Sequence, residues 1–246
     1  MALMRSFLGS RSKSKLAESD APDHRHATPD VEAIYDHRFA ASEAHRDKIW
    51  RVLTRDYFQR WIKPSDAVLD LGAGYCEFIN NIQAQEKVAL DLNPVTRRRA
   101  NPNVKVIEQN ICQNWSLDSG HMDVVFTSNF FEHLPSKKDL EHCFSEIYRV
   151  LRPGGTLIAM GPNIRFCSDV YWDFLDHYLP LSDRSMVEGL ELAGFQMEVV
   201  VPRFLPYTMA RKRPQSPSLV RLYLLLPIAW RILGKQFLLV ARKAHV

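Results

Sequence analysis

Residues 68–78 read Val-Leu-Asp-Leu-Gly-Ala-Gly-Tyr-Cys-Glu-Phe. An apolar run with one acid enters a turn that holds Gly72 and Gly74. The run predicts a buried strand over 67–71, and the residues after the turn predict a helix over 75–84. A second run, Val88-Ala89-Leu90, ends in Asp91. Glycines let a backbone approach a ligand where a Cβ would clash. An acid at the end of the following strand can accept from two ribose hydroxyls. Together they predict a nucleoside pocket at the carboxyl edge of a parallel sheet.

The alternation continues down the chain. Strands are expected over 87–91, 104–108, 122–127, 156–161, 196–201 and 236–242. Helices are expected over 94–100, 137–151 and 183–193. Helix 137–151 places Leu140, Cys143, Phe144, Ile147, Val150 and Leu151 on one face, and Pro153-Gly154-Gly155 stops it. Strands separated by helices imply an α/β fold built on a parallel sheet. Upstream, residues 31–63 carry Ile49, Trp50, Val52, Leu53, Tyr57, Phe58, Trp61 and Ile62 at helical spacing. A helical cover over 31–64 follows, placed to shield one edge of the cleft. Residues 1–30 are polar and aperiodic and are expected to form a disordered tail.

The pocket's chemistry narrows the ligand. A dinucleotide fingerprint needs a third glycine at position 77, which is Glu77. A glutamate there faces the pyrophosphate, where the anion should meet a bare helix N-terminus. Asp70, one residue before the first glycine, suits a cationic ligand better. S-adenosylmethionine carries an ammonium group and a sulfonium, so it fits both acids.

Asp70-x-Gly72-x-Gly74, Asp91, Asn110 after the third strand, Asn129 in "DVVFTSNFFEHL" and "LRPGGTL" at 151–157 occur in order. This set resembles the class I S-adenosylmethionine-dependent methyltransferases, of the bacterial type-11-like group, over about residues 65–165. The resemblance implies a Rossmann-like seven-stranded methyltransferase sheet in the order 3-2-1-4-5-7-6, with helices on both faces. It implies one domain over 31–246, with the acceptor side in 166–246. By the same carry-over, Asp70, Gly72, Ala73 and Gly74 lie near the methionine portion. Asp91 holds the ribose, Leu92 and Ile111 flank the adenine, and Asn110 meets the adenine amino group. Asn129 lies beside the methyl group's route. Cys76 stands where the family often has a glycine, and is expected to pack as an inert thiol.

Methyl transfer from a sulfonium is an in-line displacement with a neutral leaving group. A base is needed only if the acceptor keeps its proton. His133 in "FFEHL" and the pair Asp176-His177 are the candidates. The pair lies in "NIRFCSDVYWDFLDHYLP", which interleaves aromatic rings with acids, a pattern that suits a sugar ring or another flat acceptor, or else an ordinary amphipathic lid with solvated polar residues. Asp176 beside His177 is expected to orient the ring and raise its basicity. Two acids on a loop, Asp173 and Asp176, are too little to assign a metal.

Charge is unevenly spread. From Arg203 to the last residue there are nine Lys and Arg and no Asp or Glu, although the whole chain is only +4. Within the insertion 203–235, residues 219–230 are nearly all apolar, interrupted by Arg221 and Pro227. This stretch is too short to span a bilayer. It is expected either to lie in a membrane interface, or to form a buried helix covering the substrate cleft or a dimer contact. Few aromatics interleave with its charges, so nucleic acid is not expected. The four cysteines form no C-x-x-C pair and predict reduced thiols. A cytoplasmic protein, touching the inner face of the cell membrane at most peripherally through 211–234, is the expectation. The resemblance further points to enzymes of cell-surface glycan or lipid-linked saccharide assembly, acting on a hydroxyl. A small-molecule or lipid/quinone acceptor, and a non-catalytic scaffold, are the other readings.

Overall fold

A computed structural model of the chain describes residues 43–207 and 216–244. The tail 1–30, the start of the cover at 31–42 and the basic triplet Arg211-Lys212-Arg213 lie outside the described residues.

Seven strands form one sheet: β1 (Ala67–Leu71), β2 (Glu86–Asp91), β3 (Lys105–Glu108), β4 (Met122–Ser128), β5 (Leu151–Pro162), β6 (Phe195–Val201) and β7 (Gln236–Lys243). Their order is β3-β2-β1-β4-β5-β7-β6. The first five pair in parallel, and β7 runs antiparallel to both β5 and β6. The helices are α1 (Glu43–Asp56), α2 (Val95–Arg99), α3 (Lys137–Val150), α4 (Ile164–Cys167), α5 (Asp183–Leu192), α6 (Pro217–Leu224) and α7 (Pro227–Leu233).

Side chains alternate across a strand, and here both faces are apolar. Leu69 and Leu71 of β1, Leu90 of β2, Leu157 of β5 and Leu239 of β7 enter one core, which also holds Phe144 and Ile147 of α3 and Leu190 of α5. Val68, Ala89, Ile158 and Val240 enter the other, with Val52 and Leu53 of α1 and Val220 and Leu224 of α6. A sheet buried on both faces needs covers on both, and α3 with α5, and α1 with α6, supply them.

Helix ends follow ordinary capping. Ser136 accepts from the Asp139 N–H at the start of α3. Ser182 and Ser185 bond reciprocally at the start of α5. The end of α3 differs from expectation. Leu151 already begins β5, so the Pro-Gly-Gly run lies inside the strand entry rather than in a separate loop.

The helix expected over 75–84 does not form; the segment is a chain of turns. Cys76 sits at φ +61, which a right-handed helix cannot accommodate. The Asn81 N–H bonds the Phe78 carbonyl, while its side-chain amide takes the Glu77 carbonyl at 2.8 Å. Asn80 turns outward to the Arg99 carbonyl. The Asn81 amide here takes the bond that its own N–H would make in a helix.

Candidate active site

The carboxyl ends of β1 and β4 meet at one cavity. It is lined on the β1 side by Asp70, Gly72, Ala73, Gly74 and Glu77, and on the β4 side by Phe126, Ser128, Asn129, Glu132 and His133. Asp176, His177 and Tyr207 close it from one direction, Arg46 and Trp50 of α1 from another. The N-terminal helix therefore does shield an edge of the cleft, and Trp50 also packs edge-on against Phe126.

The glycine turn is set by contacts as well as by conformation. Gly72 has φ +69, and a Cβ there would lie 2.6 Å from the Phe130 ring. The Gly74 N–H donates to Asp91 Oδ2 at 2.7 Å, and the Asn93 N–H donates to Asp91 Oδ1 at 2.7 Å. Asp91 thus ties the β1 turn to the end of β2. Each carboxylate oxygen keeps a second lone pair for a ligand hydroxyl. Leu92 beside it is 42% exposed, an apolar side chain left open where a flat base could lie. Asn110 follows β3, its side-chain oxygen taking the Cys112 N–H at 2.9 Å in a local turn, and Ile111 is buried below. These four run along the same sheet edge, outside the lining of the cavity.

The cavity's charge selects its ligand. Asp70, Glu77, Glu132 and Asp176 face it, and Arg46 is bonded to Glu77 at 2.7 Å. Burial raises the Asp70 carboxyl well above its ordinary value, against a bond from the Ile79 N–H, and the Asp91 and Glu77 charges push it further. Such a cluster gains from a cation and repels a pyrophosphate. The donor set fits the ammonium and sulfonium of S-adenosylmethionine.

Residues 69–159 match a family model described as a methyltransferase domain. The segment from β1 into β5 therefore resembles a methyltransferase domain. Solved structures share its fold. A SAM-dependent methyltransferase from Archaeoglobus fulgidus is 20% identical, with a TM-score of 0.63 covering 85% of this chain and 100% of its own. One from Thermotoga maritima is 14% identical, TM-score 0.60, covering 86% and 97%. The [4+2]-cyclase SpnF is 16% identical, TM-score 0.55, covering 82% of each chain. No curated protein matches the chain in sequence. No helix among the described residues is long and apolar enough to cross a membrane.

Just past β4, Asn129 adopts φ +50, a region that asparagine tolerates better than most residues. Its Nδ2 donates to Ser128 Oγ at 2.9 Å, and its buried Oδ1 has no hydrogen-bond partner. His133 and Asp176 are joined. Nδ1 lies 2.9 Å from the Asp176 carbonyl oxygen and 3.3 Å from its carboxylate. A carbonyl only accepts, so Nδ1 carries the proton and Nε2 of the neutral ring keeps its lone pair. Burial opposes protonation of His133, but the Asp176 and Glu132 carboxylates outweigh it and raise the ring's pKa. The His177 ring lies 5.0 Å from that of His133, stacked on Phe174 and edge-on to Tyr171. Asp176 thus contacts the ring of His133. Asp176 reaches His133, from across the cleft, because the Tyr178 and Leu179 N–H groups both bond the Glu132 carbonyl.

Glu132 went unselected at the level of sequence. It is 2% exposed, and burial raises its carboxyl to about 7, opposed by the His133 charge. Its position beside His133 was the available signal: an acid between an aromatic pair and a histidine. Arg46, Tyr75, Phe126 and Tyr207 carried no such signal. Cys76 is fully buried and its thiol is pushed up by burial and by the charges of Asp70, Asp91 and Glu77. It packs as an unreactive group.

Proposed function

We propose that this protein is a methyltransferase that moves the methyl group of S-adenosylmethionine to a hydroxyl on a saccharide, free or lipid-linked, of the kind used to build a cell surface. The observation that carries this reading is the Glu132, His133 and His177 group beside Asn129. An acceptor that arrives deprotonated needs no such cluster; a hydroxyl does.

Bound in the cleft, S-adenosylmethionine supplies an electrophilic methyl group on a positively charged sulfur. The chain's own residues do the rest. Asn129 lines the cavity, and its partnerless Oδ1 can accept from a neighbouring hydroxyl of the sugar, leaving the reacting hydroxyl to His133. As the new O–CH3 bond forms and the S–CH3 bond breaks, the hydroxyl proton passes to His133 Nε2. Asp176 keeps that ring in the receptive tautomer. Trp50, Phe126 and Tyr207 make the walls apolar, which excludes water from the reacting atoms. Aromatic faces beside acids suit a sugar ring, and Trp172 and Tyr178 extend this pattern to the surface, where they are 55% and 45% exposed.

A peripheral lipid contact belongs to the same proposal. In α6 and α7, Val220 and Leu224 face the core, while Leu219, Leu222, Leu225, Ile228 and Ile232 are more than half exposed. With Arg221 and Arg231 alongside, this outer face suits an interface with an anionic leaflet.

The test is labelling with methyl-labelled S-adenosylmethionine in an extract that contains both lipid-linked saccharides and free lipids. Label in an O-methyl sugar after acid hydrolysis supports the reading. Label confined to a quinone or other lipid headgroup replaces it. No transfer, with S-adenosylhomocysteine still bound, favours the non-catalytic scaffold.

A further inference from the structure

We infer that Glu132, His133 and His177 form a binding site for one divalent transition-metal ion of the zinc type. One donor atom from each of the three lies within 4.8 Å of the other two. His133 Nε2 and Glu132 Oε1 lie 3.9 Å apart. Bonds to such an ion are ~2.0–2.2 Å long for both donor types, which spaces tetrahedral donors about 3.4 Å apart. The three need to close by roughly 1 Å, a shift within the reach of side-chain torsions.

Two further observations point to a ligand. Glu132 Oε1 is buried without a hydrogen-bond partner, on a residue only 2% exposed that lines the cavity. A buried carboxylate oxygen in that state is costly unless a cation meets it. His133 also has the arrangement typical of a metal ligand. Its outer nitrogen is held by a backbone carbonyl and a carboxylate of Asp176, which fixes the tautomer and turns Nε2 inward. The rings of Phe174 and Tyr171 hold the His177 ring on two sides. Bonds from Tyr178 and Leu179 to the Glu132 carbonyl lock the two segments together.

Two imidazoles and one carboxylate favour zinc and its neighbours over magnesium or calcium, which prefer all-oxygen sets. Three protein ligands leave a fourth position open, in the same cavity as Asn129 and Gly72. The inference rests on the proposed function only in its use: in the metal-loaded protein His133 Nε2 is a ligand rather than the base, and an acceptor hydroxyl in the fourth position would lose its proton to water because the ion lowers its pKa. Binding itself requires no acceptor. The pattern escaped sequence inspection because His177 is distant from Glu132 and His133 along the chain and joins them only through the fold.

The untagged full chain, stripped with a chelator, is titrated with Zn2+ against a chromophoric competitor, and with Co2+ by visible absorption. One equivalent of each, with the intense absorption of low-coordinate cobalt, is expected. Glu132→Gln and His177→Ala should each weaken Zn2+ binding by at least about tenfold, comparable with losses known for supporting groups of such sites. His121→Ala, which changes a surface pair with Glu86, should change nothing. Absence of a stoichiometric equivalent, or binding unaltered in both site variants, overturns the inference. Calorimetry with S-adenosylhomocysteine on the same samples checks folding and separates the two claims. Cofactor binding without metal sinks the metal site alone; metal binding without cofactor sinks the methyl-transfer reading alone.

Discussion

Asp176 holds His133 through two of its oxygens, the backbone carbonyl at 2.9 Å and the carboxylate at 3.3 Å from Nδ1. The two contacts make different predictions. Asp176→Asn leaves the carbonyl in place, so the tautomer survives and only the charge is lost. His133→Ala removes the ring. Turnover should fall by ~10²–10⁴ in His133→Ala, the usual contribution of a positioned base, and by clearly less in Asp176→Asn. Affinity for S-adenosylhomocysteine should stay within about twofold in both. Full turnover in His133→Ala removes it from the chemistry.

Asp91 is predicted to matter twice. Its carboxylate accepts from Gly74 and Asn93 before any ligand arrives, so Asp91→Ala leaves two buried N–H groups unpaired. Both stability and cofactor affinity should drop by ~1–3 kcal/mol. Asp91→Asn, which keeps one accepting oxygen, should lose less of each. Calorimetry with S-adenosylhomocysteine, with NAD as a non-binding control, reads the affinity. Unchanged affinity in the alanine variant would move the ribose site elsewhere.

Gly72 offers a two-step test of the turn. Gly72→Ala meets φ +69, worth ~1–2 kcal/mol of backbone strain, and puts its Cβ 2.6 Å from the Phe130 ring. It should lower the melting temperature and weaken cofactor binding. Phe130→Leu added to it should recover part of the stability by making room, but not the part due to φ. No recovery would show that the Phe130 contact is unimportant.

The strands were legible because both faces of the sheet are apolar. Runs such as Ala67–Leu71 cannot be anything but buried strands between turn signals, and β1 begins and ends where the pattern does. The antiparallel insertion of β7 was legible only through the family resemblance, since its run of apolar residues has no direction. The expected helix at 75–84 failed where Cys76 takes a positive φ and the Asn81 amide occupies the Glu77 carbonyl, features that periodicity does not register. Asp176's partner was missed for a different reason. Adjacency in sequence pointed to His177, while the bonds from Tyr178 and Leu179 to Glu132 also bring the acid to His133. Contacts made by folding a loop across a cleft leave no spacing to read.

Asp70 predicts a pH dependence. Burial raises its carboxyl above the ordinary value of 3.8. A group raised in the folded state contributes stability that is fully present below its unfolded pKa and lost as pH rises through the folded one. The ligand-free chain therefore carries an unfavourable buried charge on the alkaline side. Asp70→Asn should raise the melting temperature at about pH 8 and give progressively less gain toward about pH 4. A cationic ligand favours the ionised form, so binding of S-adenosylmethionine by the wild type should release protons. Calorimetry in buffers of different ionisation enthalpy measures that release. A gain in Asp70→Asn that is the same at every pH would contradict the assignment.

The outer face of α6 and α7 can be tested without disturbing the fold, provided the segment is not simply removed. Leu224 and Val220 are in the core, Tyr223 bonds the Phe204 carbonyl, and Arg221 pairs with Asp56 of α1 at 2.7 Å. Deleting the segment would open that core and confuse unfolding with lost binding. Exchanging Leu222, Leu225, Ile228 and Ile232 for serine changes only exposed positions, where substitutions usually stay within ~0.5 kcal/mol. The wild type should float with vesicles containing phosphatidylglycerol and less so with neutral ones, because basic side chains add to the apolar contact. The fourfold variant should remain in the unbound fraction, with melting temperature and S-adenosylhomocysteine affinity unchanged. Equal flotation of both proteins would exclude this face as the lipid contact. A large fall in melting temperature would instead show that these leucines and isoleucines pack against something the chain itself supplies.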